Sequence, residues 1–275
     1  MVAIDTLEQL AATARRVRRH IVTMTAEAQS GHPGGSLSSV EIVCSLYFGG
    51  VLRHDPAKPR DADRDRFILS KGHACPVLYS TMAEAGYFPV EELTTFRKLD
   101  SRLQGHPKAG SPPGVEMSSG SLGQGLSYSI GQLFAARLDG KAYRVYCLVG
   151  DGECQEGQTW EAFMCAPYHG LDRLCAIIDR NGVQNDWFVK DTMDLEPLDA
   201  KLEAFGWHVV TVDGHDFKQL LDAFAESQRM TGKPTAIIAK TVKGKGVSFM
   251  ENNPDWHGKA PSKEQEQQAL AEIGE

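Results

Sequence analysis

Apolar residues gather in five short runs, at 66–69, 143–149, 174–179, 207–212 and 235–241. Between them, apolar positions recur every three or four residues. Short Val-, Ile- and Leu-rich runs predict buried strands, and the 3.6-residue period predicts helices. Helices are expected from Thr6 towards Ser30, from Ser38 through Leu46, over 77–85, from Ser121 to Leu138, and at about 157–168, 198–205 and 216–230. Strands alternating with helices imply an α/β fold whose mostly parallel central sheet carries helices on both faces. Thr6-Leu7-Glu8-Gln9 has the form of a capping box, Gly31 of a helix end, and Ser38-x-x-Glu41 of a second cap. Gly31-His32-Pro33-Gly34-Gly35-Ser36 reads as a donor-rich turn rather than helix. The polar tail after Ser262 is expected to be a surface helix or a frayed end. No repeat or linker divides the chain, so a single domain over 1–275 is expected.

Composition narrows the classes. The 275 residues are 41% hydrophobic and 24% charged, as in ordinary globular proteins. Net charge is -7, and Arg15-Arg16-Val17-Arg18-Arg19 lies within a helical pattern, which argues against nucleic acid as the ligand. No run reaches the ~18–20 apolar residues of a membrane span. The acidic, alanine-rich opening lacks the apolar core of a signal peptide. Six cysteines without C-x-x-C pairing read as free thiols, which fits a reducing compartment and a cytoplasmic protein.

Candidate chemistry lies at two strand ends. V-G-D-G-E-C-Q-E-G and L-C-A-I-I-D-R-N-G-V place Asp151 and Asn181 at the C-terminal tips of neighbouring parallel strands, where open α/β sheets bind ligands. Their carboxylate and amide oxygens, with the Val183 carbonyl, would make three hard ligands for Mg²⁺, or for Ca²⁺ or Mn²⁺. The glycines let backbone N–H groups approach a phosphate, and a helix beginning near Glu156 would point its positive end there. Four histidines stand on glycine- or proline-rich turns: His32 (G-H-P-G), His73 (K-G-H), His106 (G-H-P) and His257 (W-H-G). Imidazoles at such places suit gripping hydroxyls and moving protons. Zinc spacing such as H-E-x-x-H is absent. Histidines 20, 54, 169, 208 and 215 have no such setting and are given no role.

Taken in order, G-H-P-G-G-S-L-S, L-S-K-G-H, G-H-P, S-G-S-L-G-Q-G-L, G-D-G-E-C-Q-E-G, N-G-V and W-H-G-K-A-P resemble the N-terminal, diphosphate-binding half of transketolase, over about 29–261. The resemblance implies the thiamine-diphosphate-binding fold and a reaction moving a two-carbon ketol unit from a ketose (phosphate) to an aldose (phosphate). It implies Asp151, Asn181 and Val183 as Mg²⁺ ligands. It implies Gly120, Leu122, Gly152, Asn181 and His73 as contacts to thiamine diphosphate. His32, His106 and His257 would line the substrate channel. Glu156 is grouped with the cofactor site and, with Glu161, matches acidic residues at the subunit interface. Ser121 stands where many members have Pro, and Q-N-D-W-F after N-G-V is looser than usual.

A full transketolase continues into pyrimidine-binding and C-terminal domains, the former supplying a glutamate that the cofactor needs. Neither has a counterpart here. The resemblance therefore implies one subunit of a split transketolase, active only with a second subunit carrying those domains, in an α2β2 assembly. A 1-deoxyxylulose-5-phosphate synthase-like half, an oxo-acid dehydrogenase α-chain and a non-catalytic relative stay open, with W-H-G-K-A-P favouring transketolase.

Overall fold

The computed structural model describes residues 6–185 and 187–275. Ten α-helices appear among them: α1 (Leu7–Ala28), α2 (Pro33–Leu37), α3 (Val40–Phe48), α4 (Cys75–Glu84), α5 (Gln124–Leu138), α6 (Gly157–Tyr168), α7 (Val189–Thr192), α8 (Leu198–Phe205), α9 (Phe217–Arg229) and α10 (Lys263–Ile273). The strands are β1 (Arg66–Leu69), β2 (Val145–Gly150), β3 (Leu174–Arg180), β4 (His208–Asp213) and β5 (Thr235–Lys240), and all of them were legible as apolar runs. They form one sheet in the order β1-β2-β3-β5-β4, every pair parallel.

Strands β2 and β3 are buried along almost their whole length because helices cover both faces. Side chains alternate across the pleat. Tyr146, Leu148, Cys175, Ile177 and Ile237 pack with α1, α3, α4, α9 and α10. Cys147, Val149, Ala176, Ile178 and Ile238 pack with α5, α6 and α8 on the other face. Each fully buried Val, Leu or Ile contributes about 1.5–3 kcal/mol over leaving it in water, so these two layers fix where the strand tips lie. All six cysteines are free, and five are buried. Among the described residues no helix is long and apolar enough to cross a membrane.

The structure corrects several local expectations. The 31–36 segment is not all turn: Pro33–Leu37 forms the short helix α2, with Pro33 at its first position, where the missing N–H costs nothing. Helix α1 ends at Ala28, earlier than Gly31, and Gln29 takes the left-handed cap at φ 47°. Thr6 does cap α1, its hydroxyl accepting from Gln9 N–H at 3.2 Å. Ser38 does not cap α3, because it ends α2 in helical backbone, with its hydroxyl donating to Asp179 (2.7 Å), and Ser39 holds the cap position without a side-chain bond. Helix α5 starts at Gln124 rather than Ser121, behind Gly123 at φ 80°. The polar tail is helix α10, closed by a capping box between Ser262 and Gln265.

Candidate active site

Pairing of Gly150 with Asp179 across β2 and β3 sets the two strand tips side by side. Beyond β2 the chain turns through a single 3₁₀ turn, Gly152–Gln155, before α6. Gly152 N–H donates to Asp151 Oδ1 (2.8 Å), and Gly182 N–H, from the β3 side, donates to Asp151 Oδ2. Asn181 accepts Val183 N–H on its amide oxygen (3.1 Å) and donates its amide nitrogen to Asp179 (2.8 Å). Asp151, Asn181 and Val183 all line one cleft of about 320 Å³. Gly120, Leu122, Gly152, Glu156, His73 and His257 line the same cleft, so every expected cofactor contact meets there.

The four turn histidines converge although they lie far apart in sequence. Ring centroids are 5.3 Å apart for His32–His73, 5.4 Å for His32–His257, 5.1 Å for His73–His257 and 6.2 Å for His32–His106. His106 is the exposed member of the set. Burial, together with Arg97, His106 and Lys243, lowers His32 to about 4. Burial, Lys243 and His32 lower His257 to about 3. His73 is pushed well below its ordinary value by burial and Lys71, and His106 is lowered by burial and Arg97. All four rings are therefore neutral near pH 7, each with one donor and one acceptor nitrogen. His257 Nδ1 accepts from the Lys243 ammonium (2.7 Å), which leaves its ring proton on Nε2.

Four site residues were given no role from the sequence. Lys71, leaving β1, donates to Gly35 O (2.8 Å) and forms a fully buried ion pair with Asp179. Asp179 also receives the Ser38 and Thr241 hydroxyls and the Asn181 amide. Burial alone would raise its carboxyl, but Lys71 and these donors reverse the sign and hold it low. Glu153 accepts Gly123 N–H (2.9 Å), Gly150 N–H (3.0 Å) and the Ser70 hydroxyl, tying the β2 tip to the start of α5. Lys243 donates to Val183 O (3.1 Å) and Gln184 O (3.4 Å), and burial lowers it to about 8. An acid inside the apolar run L-C-A-I-I-D and lysines flanked by glycine (K-G-H, K-G-K-G) were the available signals.

The cleft has the chemistry of a cation beside a phosphate-bearing ligand. Burial and the nearby Asp179 raise Asp151 to about 6, so its charge lacks compensation and a divalent ion would supply it. The donors are hard oxygens, as Mg²⁺ prefers. A Cβ at Gly152 would lie 2.8 Å from Gln184 Cβ, and one at Gly72 would lie 2.9 Å from Gly120 N, so backbone closes in on the space. His32 Nδ1, Ser119 Oγ and Gln184 Oε1 are buried without a hydrogen-bond partner, as polar groups awaiting a ligand are. A larger hollow of about 710 Å³ beside Arg180, Glu196 and Lys240 shares Asn181, but among the described residues that line it none carries such an orphaned group.

A parallel α/β protein with a cleft of buried oxygen donors and backbone N–H groups at its strand tips is thus defined. The comparison with known proteins is specific: residues 8–274 match the family described as transketolase, thiamine diphosphate binding domain. The chain belongs to that family. It is 43% identical over 267 residues to one of the subunits of the apulose-4-phosphate transketolase of Actinobacillus succinogenes, covering 97% of this chain and 96% of that one. It is 42% identical over 243 residues to a 6-deoxy-6-sulfo-D-fructose transketolase subunit of Clostridium sp., covering 88% of each. The solved transketolase of Campylobacter jejuni superposes with TM-score 0.91 at 32% identity, over 98% of this chain but 43% of that one. The chain thus spans nearly the whole of subunit-type relatives and under half of full-length transketolases.

Proposed function

We propose that this chain is the diphosphate-binding subunit of a split transketolase. The observation that carries this is the meeting of Asp151, Asn181 and Val183 with His73 and His257 in one cleft, with the His32 ring packed against both histidines and His106 beside His32. Asp151, Asn181 and the Val183 carbonyl would hold Mg²⁺. Gly120, Leu122, Gly152, His73 and the Lys243 ammonium would hold the diphosphate of thiamine diphosphate. Bound there, the cofactor supplies the carbanion chemistry that splits a ketose between C2 and C3 and passes two carbons to an aldose.

The chain's own part is to bind, orient and move protons. His32, His106 and His257, uncharged near pH 7, present both donor and acceptor nitrogens to sugar hydroxyls and can relay a proton without a standing charge. Lys243, bonded to His257 Nδ1, fixes that ring's tautomer. The substrates are sugars or sugar phosphates of the kind named for the subunit-type relatives.

A partner subunit carrying the pyrimidine-binding and C-terminal domains completes the site, in an α2β2 assembly. Glu156 and Glu161 lie exposed, available to that interface. The test is ketol transfer from xylulose 5-phosphate, or from a donor matched to the relatives, to an aldose phosphate. The chain alone should give negligible transfer, and adding the partner subunit should restore it. Robust turnover by the isolated chain would contradict the split arrangement.

A further inference from the structure

We propose that Arg18, Glu41 and His215 form a buried relay that positions Lys243 for the cleft. This rests on the reading of that cleft as a diphosphate site. Lys243 is not carried by a strand or a helix. It sits on the strap that leaves β5, residues 241–246, and such a strap needs external anchors to hold an ammonium on target. The structure shows them. Val242 N–H points at His215 Nε2 (2.9 Å). A backbone N–H can only donate, so Nε2 must be the accepting nitrogen and the ring proton lies on Nδ1. His215 Nδ1 in turn lies 2.9 Å from Glu41 Oε2, to which it donates.

Glu41 is locked by Arg18, whose two terminal nitrogens meet its carboxylate at 2.6 and 2.8 Å. Arg18 Nε also donates to Lys245 O (3.2 Å), gripping the far side of the same strap. The side chains of Arg18 and Glu41 are 9% exposed and that of His215 is 14% exposed, so water offers little substitute. Burial alone would raise the Glu41 carboxyl, but Arg18 and His215 override it and hold it charged, at about 2. Gly246 has φ 93°, and a Cβ there would stand 3.2 Å from Arg18 Nε, so the strap lies flat on the guanidinium. Gly244 N–H donates to Gly34 O (3.0 Å), which fastens the strap to α2 beside His32.

The relay thus runs from α1 and α3, through the turn after β4, to the strap, and it ends on the ammonium that bonds Val183 O and His257 Nδ1. None of its three members is among the described residues that line the cleft. They are positioning residues, acting through Val242 and Lys245 on Lys243.

Two readouts without turnover test this. In the wild-type chain, ring ¹⁵N spectra should show His215 Nε2 unprotonated, with a coupling to the Val242 amide across the hydrogen bond. Hydrogen exchange should show Val242 protected. His215→Phe, which removes the acceptor, should speed exchange over 241–246 and weaken Mg²⁺-dependent thiamine diphosphate binding by titration calorimetry. One hydrogen bond corresponds to about threefold to tenfold in each. His215→Gln, whose amide oxygen can accept, should recover most of both losses, which a mere packing role would not predict.

A protonated Nε2 in the wild type overturns the relay even if the Phe variant fails to fold. So does a folded His215→Phe with strap exchange unchanged, or a His215→Gln no better than His215→Phe. If exchange follows the relay but the wild type binds no cofactor even with the partner subunit present, the relay stands and the reading of the cleft falls.

Discussion

Asp151 is a carboxylate that the fold places at a disadvantage. It is buried beside Asp179 and raised to about 6, against an ordinary value near 3.9. For an acid the sign follows directly. Between those two pH values the native chain binds more protons than the unfolded chain, so metal-free stability falls as pH rises through this window. The stability of the metal-free wild type relative to Asp151→Asn should therefore fall as pH rises from 4 to 6, by on the order of 2–3 kcal/mol, whatever constant cost the amide carries in turning a donor towards the Gly152 or Gly182 N–H. Urea unfolding at several pH values reads this, while Mg²⁺-dependent cofactor binding is lost in the variant. A stability difference that does not change over that pH range would contradict this. His106 offers a second check. His106→Ala should slow ketol transfer by the assembled enzyme about fivefold or more, since one such contact is worth about 1 kcal/mol. A rate within twofold would remove His106 from the substrate path. The four histidines were legible because each breaks a turn of its own. Lys71 and Lys243 were not, because a lysine in a glycine-flanked loop has no periodicity to show which way it faces. His215, given no role from sequence, acquires one only through partners 27 and 174 positions away.

Elements were legible where burial imposes a period. The five strands and the long helices fell close to expectation, and the errors cluster at helix ends and short turns. Helix α2 is instructive: two glycines argue against helix, yet Gly34 faces Trp256 O and Lys243 while Gly35 faces His73 and Lys71. Close packing at the site, not propensity, selects that backbone. Ser38 has the spacing to Glu41 of a cap, but it ends α2 in helical backbone, where an N-cap cannot sit, and its hydroxyl donates to Asp179 on a distant strand. The Lys71–Asp179 pair joins the ends of β1 and β3 beneath α2. Removing one partner leaves the other charge buried and unpaired, so Lys71→Met should destabilise by about 3–5 kcal/mol in urea unfolding. Adding Asp179→Asn, which removes the unpaired charge and keeps an acceptor oxygen for the surrounding hydroxyls, should return part of that loss. A single variant within 1 kcal/mol of wild type would show that the pair does not behave as a buried charge pair.

At the scale of the molecule, alternation of strand and helix was enough to foresee a parallel sheet between two helical layers. Strand order was not foreseeable, because an apolar strand does not encode its neighbours; β5 inserting between β3 and β4 is a tertiary outcome. The neighbouring of Asp151 and Asn181 could be inferred only because β2 and β3 are consecutive and joined by one crossover. The chain matches a subunit-type relative over nearly its whole length and a single-chain transketolase over less than half of its length. The most direct test is anomalous diffraction from crystals soaked with Mn²⁺ and thiamine diphosphate. The account predicts one strong peak bonded to the Asp151 carboxylate, the Asn181 amide oxygen and the Val183 carbonyl. A peak elsewhere, or bound cofactor with those three oxygens left without the ion, would contradict it.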